Sequence, residues 1–255
     1  MALDLQRAAA RRMRRLLFAA GGVIVALAVA VIALVANNGD GSTSAAPGPS
    51  SSAAPSSSSS ASPLPTQSSD SGYVAPTKWA NLPTGRGKKS GLPVEFGHTP
   101  EGAAAAAVAS VRYGWSWDPD AAATAATVYA VPAEAADVKD AARQSTASSR
   151  LSAGVPGTGA LPSGAHMNVF VIGVQWTAKS ADEVAVSVLA RVVYTPGSGT
   201  AEKTQLLGTT NTYVWTANDW HSKTGAPQTS PDPSDLGTAE FNSAGWSAIQ
   251  EGDTR

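Results

Sequence analysis

Three histidines, His98, His166 and His221, are the side chains of this 255-residue chain whose chemistry best suits proton transfer or metal ligation near neutral pH. They lie far apart in sequence and form no H-E-x-x-H or comparable metal spacing. A nucleophile, histidine and acid triad is defined by geometry in space, so the many serines leave that arrangement open. No G-x-S-x-G elbow occurs, however, and the acidic residues are scattered singly. The stretch "GRGKKSG" at 85–91 has part of a phosphate-loop pattern. It departs from that pattern because Leu82 stands where the first glycine belongs and Lys88 is followed by Lys89. It reads as a solvated basic turn, whose functional use would be contact with an acidic partner or lipid head groups. The chain has no cysteine, which excludes a disulfide scaffold, a thiol nucleophile and a thiolate metal site. No catalytic, cofactor-binding or metal-ligating residue is nominated, no cofactor is implied, and the expectation is a protein that is not an enzyme.

The context of His98 supports that expectation. In "GHTPEGAAAAAVASVRYGW" (97–115), Thr99 suits a helix N-cap, Pro100 the first helical position, and Glu101 the positive end of the helix dipole. Ala104, Val108, Val111 and Trp115 recur at helical spacing and predict one apolar stripe. His98 then sits just outside the helix, where a neutral ring contacting the backbone is expected. "WSWDPDAAATAATVYA" predicts a second helix, capped by Asp118 with Pro119 following. Pro132 breaks it, and helix resumes to about Leu151. The Gly-rich stretch 152–165 reads as a long loop, a surface feature or a lid.

From Met167 the period becomes two. Phe170, Ile172, Val174 and Trp176 are expected on one face of a strand. Val184, Val186, Val188, Ala190, Val192 and Tyr194 follow on one face of the next, then Tyr213 and Trp215. "KSAD", "PGSGT" and "NDW" are the connectors. Helices followed by strands argue for an α+β fold, with the helices covering the apolar face of an antiparallel sheet. Trp115, Trp117, Trp176, Trp215 and Trp220 read as core, the alternative being an exposed aromatic binding surface.

These elements must be positioned by what precedes them. Leu16–Ala36 is 21 residues without a charge, about 30 Å of helix, the thickness of a bilayer core. Arg11, Arg12, Arg14 and Arg15 lie just before it, so the N-terminus is expected in the cytoplasm and the remainder outside. The run is too long, and Leu34 too large at the cleavage position, for a signal peptide. Residues 37–77 are dominated by Ser, Pro, Ala and Gly and read as a disordered linker. The expected organisation is a basic segment 1–15, a transmembrane helix 16–36, a linker 37–77, an extracytoplasmic domain 78–224 and a flexible acidic tail 225–255. With a net charge of -1, no direct nucleic-acid binding is expected. The expected partners are the membrane, other envelope or channel proteins and a second copy of the chain.

The helix entry "HTPEGA" at 98–103 and the aromatic strand closed by "NDW" at 218–220, in this order of elements, resemble actinobacterial single-pass membrane proteins of conjugative elements. Over about residues 90–224, the chain is similar to the cystatin-like, or nuclear-transport-factor-like, domain of type IV secretion inner-membrane assembly factors. The break at Pro132 and the Gly-rich loop depart from that pattern. The resemblance implies a curved sheet wrapped on a long first helix. It also implies a non-catalytic scaffold of a DNA-transfer apparatus, and no catalytic residue carries over. Related readings are a component of another envelope assembly, such as a lipid-import complex, or an anchored ligand-binding module.

Overall fold

Two helix starts are set by local chemistry. In the computed structural model, which describes residues 72–226 and 228–250, Thr99 stays extended and its hydroxyl accepts from the Gly102 N–H at 3.1 Å. Pro100 follows, and α1 spans Pro100–Gly114. Asp118 accepts from the Asp120 and Ala121 N–H groups and opens α2, Pro119–Tyr129. Pro132 interrupts with a short 3-10 turn, and α3 runs Ala135–Ser152. These agree with the expected caps and break.

Helix α1 departs from the single expected stripe. Gly102–Ala109 is buried without interruption, no residue of Ala103–Ala109 being more than 7% exposed. The helix lies between the sheet and α2, so it is covered on opposite sides. Alanine suits this because it has no side-chain entropy to lose and lets neighbours approach closely. Gly102 is required for a related reason. A Cβ there would meet the Gly97 carbonyl oxygen at 1.9 Å, and that carbonyl already accepts from the Thr99 N–H and the Trp220 indole.

The main sheet has six strands. They are β1 (Trp79–Ala80), β4 (His166–Ser180), β5 (Glu183–Thr195), β6 (Lys203–Thr216), β7 (Asp219–Lys223) and β8 (Ser247–Ile249), in the order β1-β8-β4-β5-β6-β7. Strands β4 to β7 form an antiparallel meander, with β6 and β7 joined by Ala217 and Asn218 at φ 52° and 64°. Positive φ at both central residues suits a two-residue hairpin turn. The sheet is curved and mixed rather than wholly antiparallel, because β1 pairs parallel to β8. A small hairpin, β2 (Gly87–Lys89) with β3 (Leu92–Val94), occupies the lead-in that reads as irregular in sequence.

Strand β5 places alternate residues, Val184, Val186, Val188, Ala190, Val192 and Tyr194, on the helix side as expected. The first four lie in the main core, and Val192 with Tyr194 beside Trp117. Strand β4 does not keep one face. A register shift between Val171 and Gly173 moves Ile172 to the opposite side, so Val171 and Val174 face α1 while Phe170 is 53% exposed. Ile172 packs instead with Leu189, Phe241, Trp246 and Ala248.

That second core corrects the expected flexible tail. Residues 239–243 form the short helix α4, β8 inserts between β1 and β4, and Phe241 and Trp246 are completely buried. The acidic composition of 225–255 is carried on a segment that contributes two aromatic anchors, and these cover the outer sheet face. The folded unit also extends before residue 78. Val74 N–H donates to Gly237, and Thr77 N–H donates to the Asn242 side chain. The expected membrane span at 16–36 and nearly all of the linker lie outside the described residues. Among the described residues no helix is long and apolar enough to cross a membrane.

Candidate functional site

Between α2–α3 and the concave face of the sheet lies a cavity of about 200 Å³. Its floor comes from the period of β6. Alternate residues Gln205, Leu207, Thr209, Asn211 and Tyr213 pair with Val192, Ala190, Val188, Val186 and Val184, and so share the helix-facing side. Core-facing positions of a strand usually carry apolar side chains, yet three of these five are polar. The opposite wall shows the same bias at helical spacing, with Ser145, Ser149 and Ser152 of α3 lining the space beside Val138, Ala141 and Ala142. Small side chains on one wall and polar ones on the other leave a gap where Leu or Phe would close the core.

The polar groups have specific partners and some spare capacity. Gln205 donates to the Tyr194 hydroxyl at 3.1 Å. Asn211 donates to Thr209 at 3.4 Å, and its side-chain oxygen has no partner among the described residues. Tyr213 is fully buried. Burial pushes its hydroxyl pKa up to about 12, partly offset by a hydrogen bond with Ser110. Burial also raises that of Tyr194. Trp117, at the cavity wall and edge-on to Tyr194, is 4% exposed, and its indole N–H is buried without an acceptor. Among the described residues Lys223 is the one charged residue that lines it, and it is exposed. Such a site can orient an uncharged molecule by hydrogen bonds.

The histidines are not brought into this cavity. His98 Nε2 lies 2.8 Å from Asp182 Oδ1, and its ring stacks on Trp215 at 4.1 Å with Trp220 tilted beside it. It therefore contacts a carboxylate and an indole instead of the expected backbone. His166 Nδ1 contacts the Gly164 carbonyl at 3.0 Å. On β7, His221 Nδ1 is buried without a well-formed hydrogen bond, although the Ala130 backbone is close enough to act on the ring. Burial lowers its pKa, Asp219 opposes this, and Lys89 adds to it. Among the described residues no cluster of histidine, aspartate and glutamate could hold a metal ion.

The basic stretch 85–91 forms the β2–β3 hairpin, with Lys88 and Lys89 exposed and Ser90 and Gly91 turning at positive φ. Of the five tryptophans read as core, Trp117 and Trp220 are buried, while Trp115, Trp176 and Trp215 are partly so and pack against the core. Gln205, Thr209, Asn211, Ser145 and Ser149 escaped the sequence reading. The signal is the alternation of polar residues in phase with Tyr213 along 205–213. Compared with known proteins, the chain matches no family model, no curated sequence and no solved structure.

Proposed function

We propose that the chain is a membrane-anchored, non-catalytic scaffold or assembly component of a conjugative DNA-transfer apparatus. Its N-terminus is cytoplasmic and its folded domain extracytoplasmic, with a cystatin-like architecture. The supporting observation is that the strands that follow α1 pack along one side of it. Helices come first, then a curved antiparallel meander packs over the first helix, as the resemblance implies. The uncharged run at 16–36 behind a cluster of arginines supplies the anchor. Crosslinking in living cells, followed by purification from membranes, tests this. Recovery of a conjugation ATPase or channel proteins is the expected result. Recovery of lipid-import proteins instead would move the chain to another envelope assembly.

A second reading, an anchored ligand-binding module, is favoured by the cavity. Concave sites with a few convergent polar groups are where small molecules bind, and the polar β6 face meets the serine face of α3 across about 200 Å³. The two readings are compatible, since an assembly domain can be tuned by what it holds. A bound compound released on denaturing the purified chain would support the second.

A further inference from the structure

We propose that the cavity takes a small, uncharged ring compound bearing a hydroxyl or amide group, an inference that rests on the ligand-binding reading. Size sets the first limit. An enclosed apolar cavity of roughly 150 Å³ holds benzene, so about 200 Å³ admits one substituted ring. Charge sets the second. Among the described residues no carboxylate, arginine or histidine lines the space, and Lys223 is exposed. An ion moved in from water would lose its hydration without a buried counter-charge, which is costly.

The polar groups set the third limit. The Asn211 side-chain oxygen lacks a partner, and the Trp117 indole N–H is buried without an acceptor at the wall. The Trp117 group is fully buried, whereas the Asn211 oxygen is not among the buried unpartnered atoms and stays reachable from the cavity. A ligand that donates to the Asn211 oxygen would take the place of water there. Trp115, Trp117, Tyr194 and Tyr213 offer ring faces and edges for an aromatic body. The adjacent hydroxyls of Ser145 and Ser149 can either donate or accept.

The test uses the full chain in lipid nanodiscs and ligand-observed NMR titrations. The probes are benzamide and phenol, their charged counterparts benzoate and benzylamine, and toluene. Benzamide is expected to saturate with a Kd at least about tenfold lower than benzoate or benzylamine. Ser145→Leu places an apolar side chain in the cavity. It should abolish benzamide binding while the thermal midpoint stays at or above that of the parent. Asn211→Leu keeps the volume and removes the amide. It should weaken benzamide by about tenfold and leave toluene unchanged, and it serves if Ser145→Leu fails to fold. Equal binding of charged and neutral probes, lost in these variants, would overturn the neutral class yet leave the ligand-binding reading standing. Benzamide binding untouched by either substitution would place the site elsewhere and overturn the proposal. No saturation by any probe, toluene included, would remove both.

Discussion

The imidazole of His98 is held by two contacts at once, Asp182 Oδ1 at 2.8 Å and the face of Trp215 at 4.1 Å. Asp182 lies in the turn between β4 and β5, and Trp215 near the end of β6, so His98, just ahead of the Thr99 cap, ties the helix entry to the rim of the sheet. Both side chains of the ion pair are substantially exposed, which limits its worth to at most about 1 kcal/mol. The aromatic stack adds about 0.5–1.5 kcal/mol. His98→Ala should therefore lower unfolding free energy by about 1–2 kcal/mol in a urea titration and leave partner recovery in cells unchanged. Loss of partner recovery from a folded His98→Ala protein would show a direct role for the imidazole. In a double-mutant cycle with Asp182→Asn, a coupling well above 1 kcal/mol would contradict the surface-pair account.

The C-terminal segment should behave as core. Phe241 and Trp246 are fully buried against Ile172 and Leu189, and Trp246 also donates its indole N–H to the Asp232 carbonyl at 3.0 Å. Trp246→Ala should cost about 3–5 kcal/mol, the range for large buried aromatics. Ending the chain at residue 224 should be worse, because it removes β8 and leaves β1 and the outer edge of β4 unpaired. Denaturant unfolding of the variant and limited proteolysis of the truncated chain check the two outcomes. A truncated protein with the parent's stability would mean that the meander and α1 suffice alone.

Much of this fold is written in local chemistry. Thr99, Asp118 and the prolines beside them announce the helix starts, and the alternation of β5 survives intact because α1 buries one of its faces along most of its length. The second core is harder to read. Phe241 and Trp246 sit among Ser, Asp, Gly and Pro, so composition signals a tail while two aromatics carry the packing. The shift at Ile172 is likewise invisible locally, since either face of β4 is apolar. The cavity is legible only in combination. Gln205, Thr209 and Asn211 look like an exposed strand face until the register with Val192, Val188 and Val186 turns them inward.

Stability should fall at both ends of the pH scale, from different residues. Burial lowers the His221 pKa from its ordinary 6.5, so the unfolded chain takes up that proton first as the medium acidifies. The contribution is therefore full above pH 6.5 and is lost as pH falls through the folded value. A NMR titration of the native protein should place the His221 midpoint below 6.5. His221→Gln should flatten the acid limb of stability against pH. Tyr213 acts oppositely, with its folded pKa near 12 against an ordinary 10. Its contribution is full below pH 10 and is lost as pH rises to about 12, a change of roughly 2–3 kcal/mol. Tyr129, raised by burial and by neighbouring Tyr113, Tyr213 and Asp219, adds in the same direction. Tyr213→Phe should reduce the alkaline slope in urea titrations. An unchanged slope would assign that limb to other groups.

The long loop after α3 should prove to be a clamped strap, because Arg150 reaches across its base. This side chain is 5% exposed. Its Nε donates to the Trp117 carbonyl at 2.7 Å and its Nη1 to the Gly159 carbonyl at 2.9 Å. No carboxylate among the described residues pairs with it, so backbone carbonyls and the C-terminal end of α3 hold the charge. Val155, 2% exposed, pins the near end of the loop beside Trp117 and Tyr194. Hydrogen bonds to a charged donor are worth about 1.5–3 kcal/mol each, part of which is recovered when the charge itself is removed. Arg150→Met, which keeps much of the aliphatic length, should cost about 2–3 kcal/mol. It should also make residues 156–164 the first point of cleavage in limited proteolysis. Arg150→Lys should retain the charge, lose one of the two bonds, and fall between the parent and Arg150→Met. A loop cleaved equally fast in all three proteins would show that it moves independently of Arg150, as a lid would.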